Sequence, residues 1–161
     1  MKIEFKVVDK EQLETNHRAL FAEMLKKQGK VQGDLSGKAD RCKCICIAKV
    51  DGAVAAVGAI KKKTASDFTD AKAAVPELSS DFQWELGYLF TDAEYQGRRL
   101  ASSITETLIR HFGDGNLMAS TEITANPRMV KILERNGFRL YGKPWKSAIH
   151  ENYLGLFLKF K

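Results

Sequence analysis

Tyr95-Gln96-Gly97-Arg98-Arg99-Leu100-Ala101-Ser102-Ser103 joins a short apolar run, Leu86 to Phe90, to a helical pattern carrying Ile104, Leu108 and Phe112. A basic, glycine-containing turn between a strand and a helix is suited to an anion. The first backbone N–H groups of a helix have no intrahelical partner and can point at phosphate oxygens. The helix dipole favours negative charge at that end by about 0.3–1 kcal/mol, and Arg98 and Arg99 add fixed cations. These residues by themselves leave two readings open, a phosphate site and a plain connection.

Working outward, residues 2–8 alternate as a first strand, and Glu11 to Lys27 reads as an amphipathic helix with Leu13, His17, Leu20, Phe21, Met24 and Leu25 near one stripe. His17 reads as a helix-face residue rather than a catalyst. Residues 42–50 and 53–61 are two strands around Asp51-Gly52, a hairpin signal because both turn positions need positive φ. Residues 63–82 have weak periodicity and read as a loop with at most a short helical turn. A strand at 83–90, a helix at 97–112 and a strand at 117–124 follow. Asn126-Pro127 opens the next helix, an N-cap followed by a proline at the first helical position, and Asn136-Gly137 closes it. Strands at 138–142 and 152–160 end the chain. The order β-α-β-β-β-α-β-α-β-β implies an α/β (α+β) fold, a mixed sheet of six or seven strands with helices packed on it.

The 161 residues form one expected domain, long enough to bury a core without staples. No apolar run reaches the roughly 20 residues of a membrane span, and the alternating start Met1 to Val8 lacks the apolar stretch of a signal peptide. A cytoplasmic protein with no membrane partner is the expectation. Cys42, Cys44 and Cys46 alternate and would project from one face of a strand. They read as reduced, buried thiols with no metal, since zinc needs a fourth ligand and usually a turn between thiolates. The net charge of +6 suits a polyanionic ligand and equally suits nucleic acid. The basic residues are spread widely, and no aromatics interleave with a basic strand, which weakens a single-strand nucleic-acid reader.

Gln96-x-x-Arg99-x-Ala101 resembles the Gln/Arg-x-x-Gly-x-Gly/Ala signature of the GNAT acetyltransferase superfamily, whose turn cradles the pyrophosphate of acetyl-coenzyme A. Glu85-Leu86-Gly87-Tyr88-Leu89-Phe90-Thr91 is similar to the strand that leads into that turn. Asn126, followed by Gly137-Phe138, is similar to the family's second motif. The resemblance spans Trp84 to Tyr141, and the remainder matches by element order. It implies a mostly antiparallel sheet and acetyl-CoA as co-substrate. Gln96, Gly97, Arg98, Arg99, Leu100, Ala101 and Ser102 would surround the pyrophosphate, Phe90 and Thr91 would pair their backbone with the pantetheine arm, and Asn126 would contact the same arm. Arg99 departs from the pattern, because the family has glycine there. It either grips a phosphate through its guanidinium or obstructs the loop.

The activity implied is acetyl-CoA-dependent N-acetyl transfer by direct attack of a primary amine. That chemistry needs a held thioester, a base for the amine and an exit for the thiolate, but no covalent enzyme intermediate. Glu85, at the offset of the strand glutamate of histone-acetyltransferase members, is the candidate base, and its apolar setting could raise its pKa. The plainer reading pairs it with a lysine. Asn126 likewise reads as a simple N-cap. The helix tyrosine that serves the family as acid is replaced by Leu133, leaving Tyr141, Tyr153 and His150 as candidates, while Trp145 and Tyr153 are candidates for an acceptor pocket or for packing. The alternative function is a non-catalytic module that binds a CoA species or nucleic acid. The acceptor, small or macromolecular, and the choice between monomer and homodimer stay open.

Overall fold

The computed structural model describes residues 1–161. Seven strands, β1 (Ile3–Asp9), β2 (Cys42–Val50), β3 (Ala53–Lys62), β4 (Trp84–Thr91), β5 (Leu117–Glu122), β6 (Arg139–Lys146) and β7 (Tyr153–Lys159), form one sheet in the order β1-β2-β3-β4-β5-β7-β6. Three helices, α1 (Thr15–Gln28), α2 (Leu100–Phe112) and α3 (Pro127–Arg135), complete the expected element order. Pairing is antiparallel in β1/β2, β2/β3, β5/β7 and β6/β7, and parallel in β4/β5. No helix is long and apolar enough to cross a membrane. The chain packs as two compact units, Met1–Lys62 with Leu86–Gly113, and Lys63–Glu85 with Asp114–Lys161.

In the first unit the Asp51-Gly52 turn forms as read, with φ of 48° and 84°. α1 begins at Thr15, later than its periodicity suggests, because residues 10–12 wind into a 3-10 turn first. His17 then closes a capping box: the Glu14 N–H donates to its Nδ1 at 3.1 Å. α1 buries Phe21, Met24 and Leu25 against Ile45, Ile47, Val57 and Ala59 on one face of the strands. α2 covers the opposite face, with Leu100, Ile104 and Leu108 buried at i, i+4 spacing and the last two reaching Gly58.

The three cysteines do not share a face. The ladder runs Cys42↔Lys61 and then Cys44↔Ile60, so β2 carries an extra residue at Lys43 and the side-chain alternation reverses there. Cys42 joins the α1-side cluster, while Cys46, opposite Gly58, and Cys44 face α2. All three are buried and free of disulfides. Burial pushes their thiols up to about 12, 11 and 12 respectively, which favours the protonated form as long as no cation sits beside them.

In the second unit the weakly periodic segment holds two 3-10 turns, Ala65–Phe68 and Pro76–Asp81, rather than a featureless loop. The segment's apolar residues pack with those of β5, β6 and β7: Phe68, Ala73, Phe82, Met118, Trp145, Leu156 and Leu158 form one cluster. α3 ends in a Schellman motif, with Gly137 N–H donating to the Glu134 carbonyl at 3.2 Å and Phe138 N–H to the Leu133 carbonyl at 3.0 Å. β6 runs on to Lys146, past its expected end, through an irregularity between Tyr141 and Trp145. Gly142 sits in that irregularity at φ 72°, and a Cβ there would stand 2.1 Å from the Ala73 carbonyl oxygen. The same carbonyl accepts the Lys143 N–H at 2.9 Å.

Gly142→Ala is therefore expected to lower the unfolding free energy by at least about 1–3 kcal/mol, the usual cost of overpacking, with left-handed backbone strain in addition. Urea denaturation of the two proteins measures this, and equal midpoints would contradict the close approach.

Candidate functional site

The turn before α2 is built from the conformations its sequence allows. Gly97 takes φ 83° and Arg99 takes φ 59°, ψ 28°, both left-handed. Arg99 thus adopts the backbone for which glycine is the undemanding choice, at a cost of roughly 1–2 kcal/mol for a residue with a Cβ. α2 starts at Leu100, three residues later than the periodicity suggests, because those two left-handed residues cannot belong to a helix. The first helical bond runs from Ser103 N–H to the Arg99 carbonyl at 3.0 Å, so the amides of Leu100, Ala101 and Ser102 have no acceptor within the helix. Gln96, Gly97, Arg98 and Arg99 are exposed, whereas the side chains of Leu100 and Ser102 are buried. The Arg98 guanidinium lies 5.5 Å from the Tyr95 ring centroid. A helix-start turn with three amides lacking helical acceptors and with two arginines has the charge and donors that a pyrophosphate requires.

The approach to this turn is pinned. Asp92 N–H donates to the Ala55 carbonyl at 2.9 Å, and the Asp92 carboxylate accepts from Glu94 N–H at 3.1 Å and from Lys27 at 3.0 Å. Those two donors hold its carboxyl below the usual aspartate range. Phe90 and Thr91 immediately precede it on β4 and are half-buried. β4 also contains a feature that periodicity does not show: Tyr88, in mid-strand, has φ 55°. A bulky residue at positive φ inside a strand is a strained kink held by its surroundings. Here Phe21 meets the Tyr88 ring edge-on at 5.7 Å, the Lys61 ammonium lies 5.4 Å from its centroid, and Gln28 Nε2 donates to the Leu89 carbonyl at 3.1 Å.

At the other end of β4, Glu85 is buried and paired in the ladder with Met118. Its Oε1 accepts two hydrogen bonds from Thr64, from the N–H and from the hydroxyl, each 2.8 Å. Thr64 opens the 3-10 turn that also delivers Asp67, a second buried carboxylate. Lys72 Nζ approaches Asp67 Oδ1 at 3.4 Å, and Ser120 hydrogen-bonds to the same carboxylate. Burial first, and the charge of Glu85 second, push the Asp67 carboxyl up to about 6, against the pull of Lys72 and Ser120. Sequence reading missed Asp67, since an aspartate in a segment without periodicity carries no signal until the turn closes over Glu85.

The remaining candidates separate cleanly. Asn126 is an N-cap, its Oδ1 accepting from Met129 N–H at 3.3 Å. Leu133 is fully buried. Trp145 packs in the core, with Lys72 Nζ 6.0 Å from its ring. Tyr141 stacks edge-on with Phe160 at 5.6 Å, and Tyr153 is exposed. His150 Nε2 lies 3.0 Å from Glu122 Oε1, and Asn152 Nδ2 donates to Glu122 Oε2 at 3.3 Å.

Comparisons with known proteins bear on the family and the fold. The family model described as Acetyltransferase (GNAT) family matches residues 9–138. No curated protein matches the chain in sequence. Among solved structures, Escherichia coli ElaA superposes with a TM-score of 0.69 at 11% identity, covering 98% of this chain and 99% of its own. The ribosomal-protein-S18-alanine N-acetyltransferase from Escherichia coli gives 0.65 at 13% identity, covering 97% and 93%. Arabidopsis thaliana NAA60, solved in complex with acetyl-CoA, gives 0.70 at 12% identity, covering 99% and 100%. At such low identity these structures speak for the fold, while the family model spans most of the sequence. The chain belongs to the GNAT acetyltransferase family.

Proposed function

We propose that this protein is an acetyl-CoA-dependent N-acetyltransferase in which a primary amine attacks the thioester carbonyl directly. The observation that carries the reading is the left-handed turn at Gly97 and Arg99, which leaves the amides of Leu100, Ala101 and Ser102 without helical acceptors beside two arginines. The acetyl-CoA bound in the NAA60 structure supports the same co-substrate here. In this reading Gln96 to Ser102 bind the pyrophosphate, Phe90 and Thr91 present β4 backbone to the pantetheine arm, and Asn126 donates to that arm from its amide nitrogen while its oxygen caps α3.

Glu85 receives the proton that the amine sheds as the nitrogen–carbon bond forms and the carbon–sulfur bond breaks. Thr64 orients the carboxylate by fixing one oxygen. Asp67, its carboxyl pushed up to about 6 by burial and then by the charge of Glu85, places a second carboxylate beside the proton acceptor. Two neighbouring carboxylates are a recurrent acid–base device. With Leu133 in the place of the family's tyrosine, the thiolate leaves as the anion and takes its proton from water. The same two carboxylates attract an amine that arrives as its ammonium ion.

Isothermal titration with acetyl-CoA and CoA tests the loop. Arg99→Gly is expected to keep its stability within about 1 kcal/mol, since relief of left-handed strain offsets the greater backbone entropy of glycine. It should bind CoA about ten-fold more weakly, for want of one charge-assisted contact. Unchanged affinity would make the backbone alone the phosphate grip. Glu85→Gln is expected to reduce kcat by at least about 100-fold, the general-base range, while the dissociation constant for acetyl-CoA stays the same. Full turnover in that variant would remove Glu85 from the reaction.

Asp67 also makes a pH-dependent contribution to stability. The folded state binds its proton more tightly than the unfolded chain, so ionised Asp67 costs stability above pH about 6, and the cost disappears below the ordinary value of 3.8. Asp67→Asn is accordingly expected to be more stable than the parent at pH 8 by roughly 1–3 kcal/mol, with the gap closing by pH 4. Urea unfolding across that range measures it, and a gap independent of pH would show that Asp67 is not the group responsible.

A further inference from the structure

Away from the proposed acetyl-transfer machinery, the α2-facing side of the first three strands brings together three side chains of different chemistry. Asp9 ends β1, Cys44 lies opposite it in the β1/β2 ladder, and His111 occupies the last turn of α2. One donor atom from each lies within 4.8 Å of the other two. His111 Nε2 stands 2.7 Å from Asp9 Oδ1, and the thiol is buried beneath that half-exposed pair. The extra residue at Lys43 separates Cys44 from Cys42 and leaves it on the face that α2 covers. We propose that Asp9, Cys44 and His111 form a transition-metal site, with Zn²⁺ the ion that the set fits best.

The donor chemistry selects the ion. Sulfur and imidazole exclude magnesium and calcium, which take oxygen ligands. Zinc accepts thiolate at about 2.3 Å, imidazole at about 2.0–2.1 Å and carboxylate at about 2.0–2.2 Å in a tetrahedron. Ligand atoms of such a site stand roughly 3.3–3.7 Å apart by the same geometry. The contact between Asp9 and His111 therefore has to open by less than about 1 Å, which rotation of two half-exposed side chains provides. Charge balances as well: one carboxylate and one thiolate neutralise the divalent ion, and imidazole binds neutral. The thiol releases its proton to solvent as the metal–sulfur bond forms. The carbonyl end of α2 adds partial negative charge beside His111. Three ligands leave a fourth position for water on the exposed side, and the bound ion would clip β1, β2 and α2 together.

Cobalt(II) titration of the metal-free protein, followed by zinc displacement, tests the site independently of any acetyl transfer. The expected result is a one-to-one complex with a thiolate-to-cobalt charge-transfer band that zinc abolishes. Cys44→Ser should remove the band. Asp9→Asn and His111→Ala, which change only half-exposed side chains, should weaken cobalt binding at least about ten-fold, since even outer-shell partners of a metal matter by 10–100-fold. If Cys44→Ser does not fold, these two variants decide. Absence of the band at millimolar cobalt, its survival in Cys44→Ser, or parent-like affinity in both other variants would reduce the cluster to an ion pair over a buried thiol.

Discussion

A buried carboxylate at Glu85 has to be met by donors, and much of the second unit follows from that requirement. An ionised group taken out of water without partners costs several kcal/mol, so the chain after β3 must return a donor to the head of β4. Thr64 returns two. Having been drawn there, it starts the 3-10 turn whose last residues are Asp67 and Phe68. Phe68 enters the cluster with Phe82, Met118 and Trp145, so apolar burial holds in place the turn that the carboxylate demands. One five-residue stretch, Thr64 to Phe68, thus supplies both the donor to Glu85 and a core side chain.

Asp67 is the member of this arrangement that opposes folding. It is buried beside a like charge and receives only partial relief from Lys72 and Ser120. Positions that lower stability yet sit among polar groups poised to exchange protons are where function and folding conflict. Arg99 is a second such position: its left-handed backbone is unfavourable for any residue with a Cβ, and the turn keeps it. Tyr88 is a third, in the middle of β4. All three fall on or beside the strand and turn singled out by the family resemblance.

What the sequence revealed was local chemistry with a steric cause. Asp51-Gly52 specified its turn because few other pairs accept two positive φ values. Asn126-Pro127 and Asn136-Gly137 marked the ends of α3 because a cap side chain, a fixed φ and a left-handed residue are hard to place elsewhere. The Gln96–Ser102 turn was legible for the same reason, although the helix proper begins later than periodicity indicated, since apolar spacing does not register the left-handed residues before it. Residues 63–82 were not legible. Their order comes from Thr64 reaching Glu85, twenty-one positions away, and from Phe68 and Phe82 finding one cluster, contacts that no short window contains. The reversal at Lys43 escaped notice because an inserted residue leaves composition and alternation outwardly intact.

That reversal has a consequence for how this chain can be observed. With Cys42 on the α1 side and Cys44 and Cys46 on the α2 side, the three thiols sample two separate packing interfaces of the same strand. In the metal-free protein each is screened by burial, which favours its protonated form. Modification by a small thiol reagent then requires the covering helix to lift or the strand to open, and its rate counts those excursions. β2 therefore carries, in one five-residue stretch, natural probes of opening on both of its faces: departure of α1 exposes Cys42, departure of α2 exposes Cys44 and Cys46, and global unfolding exposes all three at once.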